Sequence, residues 1–410
     1  MFQPYLAVVA VVAGAALLQL ANGLLGAFLP IRLGLDGVSE TLIGLVGTGY
    51  GAGFLVGCLV AQRLIRLVGH IRAFAALAAV TSIACLAFRI HADPWTWTAL
   101  RAVTGLCLAG LFMVVEGWLA ATTPIGARGQ VIAFYLIACK LATIAGQVLL
   151  ARIEILGTSL LLIASIACSA ALVPVTLTRG TTPPAPRLVT LGLTDLWRIA
   201  PAAVVGVLGA GLINAAVPTL TPVFGQGLGL SVGVVVTLLA VMQLGSLGLQ
   251  WPLGLASDRI DRRLVILVCL LGVIAVSVAL AFGGIDDPVT LVTVFLVWGG
   301  FAMSFYGICA AHAADFAEPD QMVGVSGGLL LVWASGSAVG PLLAAQVVSA
   351  LGPRGLFVYT LLVGTATGLF VLYRMTRRAP LPPEERPGFV PLPANSPAIG
   401  QIDPRAGDSP

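Results

Sequence analysis

The sequence predicts an all-α integral membrane protein whose twelve transmembrane helices form two six-helix, pseudo-symmetric bundles. Three observations carry that expectation. Of the 410 residues, 59% are apolar and only 9% charged, whereas a soluble domain carries charge on about a quarter of its residues. The chain divides into apolar stretches of about 20 residues, the length a helix needs to cross about 30 Å of hydrocarbon at 1.5 Å per residue. Landmarks in the first half also recur in the second at a nearly constant interval.

The first stretch, 6–30, is longer than a signal-peptide core and follows no basic segment, so it is expected to remain as the first span. Spans two to six follow at 41–62, 73–91, 97–120, 129–151 and 157–178. Spans seven to twelve are expected at 200–224, 231–254, 264–284, 289–313, 323–349 and 354–374, each bounded by charged, proline or glycine-rich breaks. Helices must do this spanning, because isolated strands would leave backbone groups unsatisfied in lipid. Residues 1–178 then form the first bundle, 179–199 with its TTPPAP run a linker, and 200–374 the second bundle. The remainder, 375–410, is Pro-rich and too poor in apolar residues to build a core, and is expected to be a disordered cytoplasmic tail.

Charge sets the expected orientation. With both termini cytoplasmic, fifteen arginines fall in cytoplasmic loops and the tail, against four outside (Arg32, Arg89, Arg152 and Arg354). Cytoplasmic loops concentrate Lys and Arg, so a multi-pass protein of the cell inner membrane is expected in that orientation. The net charge of +4 is dispersed over short loops, which excludes a nucleic-acid face. All seven cysteines lie inside apolar stretches without metal-ligand or paired spacing, so they are read as packing residues, with no metal and no cofactor.

The internal repeat is specific. Asn22 recurs as Asn214, Gly57 as Gly254, Gly105 as Gly300 and Gly146 as Gly340, at offsets of 192, 197, 195 and 194. A six-plus-six parallel duplication places a binding site between the halves near the bilayer midplane. Gly105, Gly146 and Gly340 are read as helix-packing glycines.

Two loops carry further pattern. GCLVAQRLIRLVGHIR (57–72) follows span two and GLASDRIDRR (254–263) follows span eight. Both resemble the conserved G-x-L-x-D-R-x-G-R-R loop of the major facilitator superfamily. The second matches with Gly254, Asp258, Arg259, Arg262 and Arg263, and Asp261 replaces a glycine; in the first, Gln62 takes the place of the acid and leaves Gly57, Arg63, Gly69 and Arg72. LRAVTGLCLAG (100–110) is similar to that superfamily's R-x-x-x-G pattern through Arg101 and Gly105. GSAVGP (336–341) resembles the antiporter glycine–proline kink but lies in span eleven rather than span five. VVEGWL (114–119), residues 127–150 and residues 249–267 resemble the YcaD-like branch, whose substrate is unassigned. The resemblance implies a facilitator fold that transports by rocking of its halves, with the two loops as cytoplasmic gates.

Three charged side chains lie well inside the spans, Arg101, Glu116 and Lys140, and intramembrane charges are functional candidates. Arg101 is expected either to line a cavity or to snorkel outward. Glu116 follows it by fifteen residues, about 22 Å along a helix, so the two cannot pair. Glu116 is read as a clasp to Arg63, Arg72 or Arg128, or else as a proton site. Lys140, the single lysine, lies near the midplane, where it could reach toward Glu116, face a cavity and bind an acidic group, titrate, or hold a paired or hydrated structural position. Asn22 and Asn214 serve a cavity or an inter-helix hydrogen bond. Tyr135, Gln147, Gln243, Trp298, Tyr306, Trp333 and His312 are expected mainly as packing or interface groups. Asp315, Glu318 and Asp320 are read as a solvated acidic turn facing basic loops.

No P-loop, HExxH or G-x-S-x-G with partners is present, so an enzyme and an ATP-driven pump are not expected. The expected function is secondary active transport of a small organic solute by alternating access, first as proton-coupled export of a drug or metabolite. Uptake of an organic anion on Arg101 and Lys140 is the alternative, and a non-transporting membrane receptor or scaffold is the reading of another class. The expected partners are a small-molecule substrate, the lipid bilayer and protons, and the protein is expected to be a monomer.

Overall fold

The structure, a computed structural model, describes residues 3–90, 93–177, 192–318, 321–379, 381–382, 386–391, 396, 400, 403 and 405. The first half comprises α1 (Gln3–Leu35), α2 (Glu40–Val68), α3 (His70–Ala87), α4 (Pro94–Thr122) and α5 (Arg128–Leu149), then a sixth span broken into α6 (Ser159–Ala170) and α7 (Leu172–Leu177). A short α8 (Leu193–Ile199) precedes the second half, α9 (Pro201–Gly227), α10 (Val232–Arg259), α11 (Arg262–Phe282), α12 (Pro288–Ala314), α13 (Met322–Leu351) and α14 (Gly355–Arg377). Among the described residues, 12 helices are long and apolar enough to cross a membrane, one for each expected span. Of the expected linker, residues 179–191 lie outside the described residues and 193–199 are helical.

Several helices overrun the expected spans because their ends are capped beyond the apolar stretch. The devices repeat between halves. Asp93 Oδ2 accepts from the Thr96 amide at 2.9 Å ahead of Pro94, and Asp287 Oδ2 accepts from the Thr290 amide at 2.8 Å ahead of Pro288. Each carboxylate satisfies an otherwise orphaned donor, and each proline occupies a first-turn position where no N–H is needed. The turns after α1 and α9 match as well: the Val38 amide donates to Leu33 O and the Leu230 amide to Gly225 O. Both turns need a residue with positive φ, supplied by Gly37 at 72° and Gly229 at 68°, a conformation costly for residues with a Cβ.

Helix packing is duplicated too. A Cβ on Gly146 would strike Leu20 O, and one on Gly340 would strike Leu212 O. Likewise, Gly105 abuts Tyr50 O and Gly300 abuts Gly245 O. Small residues that let helix backbones touch are the means of association available in lipid, where apolar burial between helices has no driving force. The halves meet along α2 and α13, where Gly51 abuts the Ser337 backbone and Gly44 the Pro341 carbonyl. At the end remote from the basic loops, Gln226 Nε2 donates to Ile31 O at 3.0 Å and closes α9 against α1.

The basic face is held differently. Arg262, 1% exposed, donates through Nε to both Asp315 oxygens at 2.9 and 3.0 Å and through Nη1 to Ser257 Oγ at 2.9 Å. Its Nη1 also pairs with Asp258 Oδ1 at 3.1 Å. Asp315 is therefore not solvated as expected, because its side chain is 3% exposed against this guanidinium; Glu318 is exposed and Asp320 lies outside the described residues. Burial pushes the Asp315 carboxyl up to about 6, against the opposing pull of Arg262, Arg386 and Arg405. Arg263 chelates Asp261, whereas Arg259, Arg63 and Arg72 are exposed.

Of the segment expected as a disordered tail, 375–377 end α14 and several described residues beyond it pack on this face. Arg262 Nη2 donates to Pro387 O at 2.5 Å, the Phe389 amide donates to Asp258 Oδ2 at 3.1 Å, and the Phe389 ring covers Gly254. Composition predicted no core of its own for this segment; its contacts instead use buried charges of the bundle. The rest of that segment lies outside the described residues.

Two outcomes are expected. Gly146→Val drives a branched side chain into α1 and should cost about 1–3 kcal/mol, whereas Gly129→Ala, with open space around it, should leave the thermal midpoint in detergent unchanged. Arg262→Ala strands the Asp315 carboxylate and should destabilise the protein by about 3–5 kcal/mol, read as the loss of unfolding free energy in a denaturant titration.

Candidate functional site

Between the halves lies a cavity of about 280 Å³. Helical period explains its walls. Gln19, Asn22 and Gly26 occupy one face of α1 at spacings of three and four, and Lys140, Thr143 and Gln147 do so on α5. Gln243 and Gln250, seven apart, line it from α10. These are amphipathic helices with the polar stripe turned inward, which suits a bundle whose outer surface meets lipid.

The cavity receives four of the five predicted core candidates, Asn22, Arg101, Lys140 and Asn214. Arg101 is 7% exposed and does not snorkel; its guanidinium lies over the Tyr50 ring at 4.3 Å from the centroid. That stacking is a cation–π contact. Lys140 Nζ donates to Ser246 Oγ at 2.7 Å, tying α5 of the first half to α10 of the second. Asn22 Nδ2 donates to Gln19 Oε1 at 3.4 Å. Arg101 Nη1, Gln147 Oε1, Asn214 Oδ1 and Trp333 Nε1 are buried without a hydrogen-bond partner in the protein, and all four residues line the cavity. Buried polar groups are expensive to leave unpaired, and these donors and acceptors make the cavity the candidate site.

Prolines add acceptors at the same level. Pro30 and Pro218 lie inside α1 and α9; without N–H groups they cannot bond the carbonyls four residues earlier, those of Gly26 and Asn214, both residues of the cavity wall.

Glu116 is set apart from the other candidates. It is 0% exposed and does not line the cavity. It accepts from Tyr135 Oη at 3.2 Å and from Ser396 Oγ. Tyr135 does line the cavity, so this phenol is the wall between the cavity and the acid. Of the expected clasp partners, Arg63 is exposed in the last turns of α2, Arg72 is exposed in the first turn of α3, and Arg128 begins α5 half-buried. Gly57 packs on Leu106 of α4 and Gly69 turns the chain into α3 at φ 82°.

Among the side chains expected as packing groups, Trp298, Tyr306 and His312 are buried away from the cavity. Tyr135, Gln147, Gln243 and Trp333 differ and line it. Gln19, Tyr50, Thr143 and Gln250 were not singled out at all. The polar stripe on α5 was a readable signal for Thr143, whereas Tyr50 has no local signal, since Arg101 of a different helix gives it its role.

Comparisons with known proteins agree with this architecture. The chain is 26% identical over 354 residues to the uncharacterized MFS-type transporter YcaD of Escherichia coli O9:H4 (strain HS), covering 86% of this chain and 91% of that protein. It is 25% identical over 353 residues to the YcaD protein of Escherichia fergusonii, with 86% and 91% covered. The crystal structure of the nucleoside transporter NupG superposes with a TM-score of 0.70 at 14% identity, over 92% of this chain and 99% of that one, a likeness of fold. The family profile matches residues 11–330 and 237–402, and with 12 helices among the described residues long and apolar enough to cross a membrane the chain belongs to the Major Facilitator Superfamily.

Proposed function

We propose that this membrane transporter carries a small organic anion by alternating access, with the basic face toward the cytoplasm. The observation that carries the reading is the charge of the cavity. Arg101 and Lys140 contribute two cations, and no Asp or Glu is among the described residues that line it. A charged solute of the same sign would meet two uncompensated cations in a low-dielectric chamber, whereas an anion would replace solvation the buried groups lack. The amides of Gln147, Asn214 and Gln243 would fix polar substituents, and Met303 and Trp333 supply apolar contact.

Lys140 would also link binding to motion. Its bond to Ser246 crosses between the halves, and an anion competing for the ammonium would loosen that tie as the cavity fills. A ligand moves a conformational equilibrium only through differential interaction with its states, and this exchange of partners supplies one. Fifteen arginines against four support the orientation.

Proton-coupled export is the second reading, favoured by the Tyr135 hydroxyl that joins the cavity wall to Glu116. In that reading Glu116 carries the proton, and Glu116→Gln should remove the dependence of transport on a pH gradient while leaving ligand binding in place.

The test is a thermal-shift screen of purified protein against small organic anions, with matched neutral and cationic compounds. An anion at about 100 times its Kd should stabilise the wild type by about 2.7 kcal/mol. Lys140→Met and Arg101→Gln should each weaken its binding about tenfold or more, about 1.4 kcal/mol apiece. Stabilisation by cationic compounds alone, undiminished in both variants, would overturn the anion reading; failure of reconstituted protein to move any stabilising ligand would favour a receptor.

A further inference from the structure

On the basic face, described residues of the chain's own C-terminal segment pack against helices of both halves. Depth along each helix locates it. Glu116 lies six residues from the end of α4, Gly254 five from the end of α10 and Ser326 four from the start of α13. At 1.5 Å per residue these positions are about 6–9 Å inside the bundle. Ser396 Oγ donates to Glu116, the Phe389 ring covers Gly254, and Gly400 sits on Ser326. Three described residues of this segment thus touch α4 of the first half and both α10 and α13 of the second.

Its seat is built from buried groups. Ser396 and Asp403 are 5% and 1% exposed, and Val390, 8% exposed, joins the hydrophobic core. Arg262 donates a hydrogen bond to this segment and Asp258 accepts one from it, and Arg386 Nη1 donates to Ile260 O at 2.6 Å at the end of α10. Glu116 and Tyr135 connect the seat to the cavity, because Tyr135 lines the cavity wall and donates to the carboxylate that receives Ser396. The contacts also break the internal symmetry: Gly57 faces a helix of its own bundle, but its repeat Gly254 faces Phe389.

We propose that this segment, through Phe389 and Ser396, is an intramolecular plug that closes the basic-face mouth of the cavity and must withdraw before the cavity opens to that side. The halves are already closed at the opposite end by Gln226 on Ile31 and by the Gly44 contact with Pro341, so the plug governs access to the cavity in this arrangement. Withdrawal uncovers Glu116 together with Asp258 and Arg262. The inference is independent of what the cavity binds.

The test uses Cys139, a native thiol in the cavity wall, and a sulfonated methanethiosulfonate reagent on the detergent-purified full chain. The modification rate is followed at Cys139 and at Cys168, buried in α6 away from the mouth, by peptide mass spectrometry. Ser396→Glu sets a second carboxylate against Glu116, and a chain ending at Arg378 lacks the segment altogether. Both should raise the Cys139 rate about tenfold or more as the open population grows, with the Cys168 rate unchanged. Should the truncated chain fail to fold, Ser396→Glu and Phe389→Asp carry the test. Wild-type Cys139 rates in the folded variants, or an increase shared equally by Cys168, would overturn the plug.

Discussion

Inside hydrocarbon a polar group has no water to fall back on, and the structure follows from how each such group is satisfied. Backbone amides and carbonyls are absorbed by twelve helices. Helix ends are closed by Asp93, Asp287 and the glycine turns at 37 and 229. Glycines at 105, 146, 300 and 340 then let helices approach until backbone meets backbone, since apolar burial alone cannot hold them in lipid. Polar atoms left without a partner occur at several places, His70, Trp298 and Ser304 among them, but Asn22 Oδ1, Arg101 Nη1, Gln147 Oε1, Asn214 Oδ1 and Trp333 Nε1 all belong to residues of one cavity, which is the physical ground for treating it as the candidate site.

Duplication built the frame, and departures from it built the chemistry. Caps, turns and glycine contacts repeat between halves, yet the positions equivalent to Arg101, Glu116 and Lys140 are Leu296, Ala311 and Ala334. Charge capable of binding or proton transfer therefore sits in the first half, and the second offers amides, Ser246 and Trp333. The reverse holds at the basic face. There the second half has Asp258, Arg262 and Asp315 in a buried network, while the first has Gln62 in place of the acid. The cations of the cavity wall thus come from the first half, and the buried ion pairs of the basic face from the second.

The two networks share a floor. Tyr135 is part of the cavity wall and also a donor to Glu116, whose second named partner comes from the C-terminal segment. A change in cavity occupancy that shifted Tyr135 would be felt at the mouth, and withdrawal of the segment would be felt at Tyr135. Coupling of this kind needs a contiguous set of contacts with two arrangements, and these residues provide the contiguous set.

Hydropathy and spacing by themselves determined that the chain crosses a membrane twelve times, that it is a duplication, and that Arg101, Lys140 and the paired asparagines merit attention. Those are local or periodic properties: the length of an apolar run, the solvation cost of a charge within it, and an offset near 195. Tertiary structure decided the rest. Lys140 finds its hydroxyl partner 106 residues away and Glu116 accepts from a serine 280 residues away, separations at which no periodic pattern operates. Tyr135, Gln147, Gln243 and Trp333 read as packing because a polar side chain on an apolar helix has the same local context whether it faces a neighbour or a cavity. The C-terminal segment read as disordered for a similar reason: composition shows that it cannot make a core, but not that Asp258, Arg262 and Glu116 would supply partners for it.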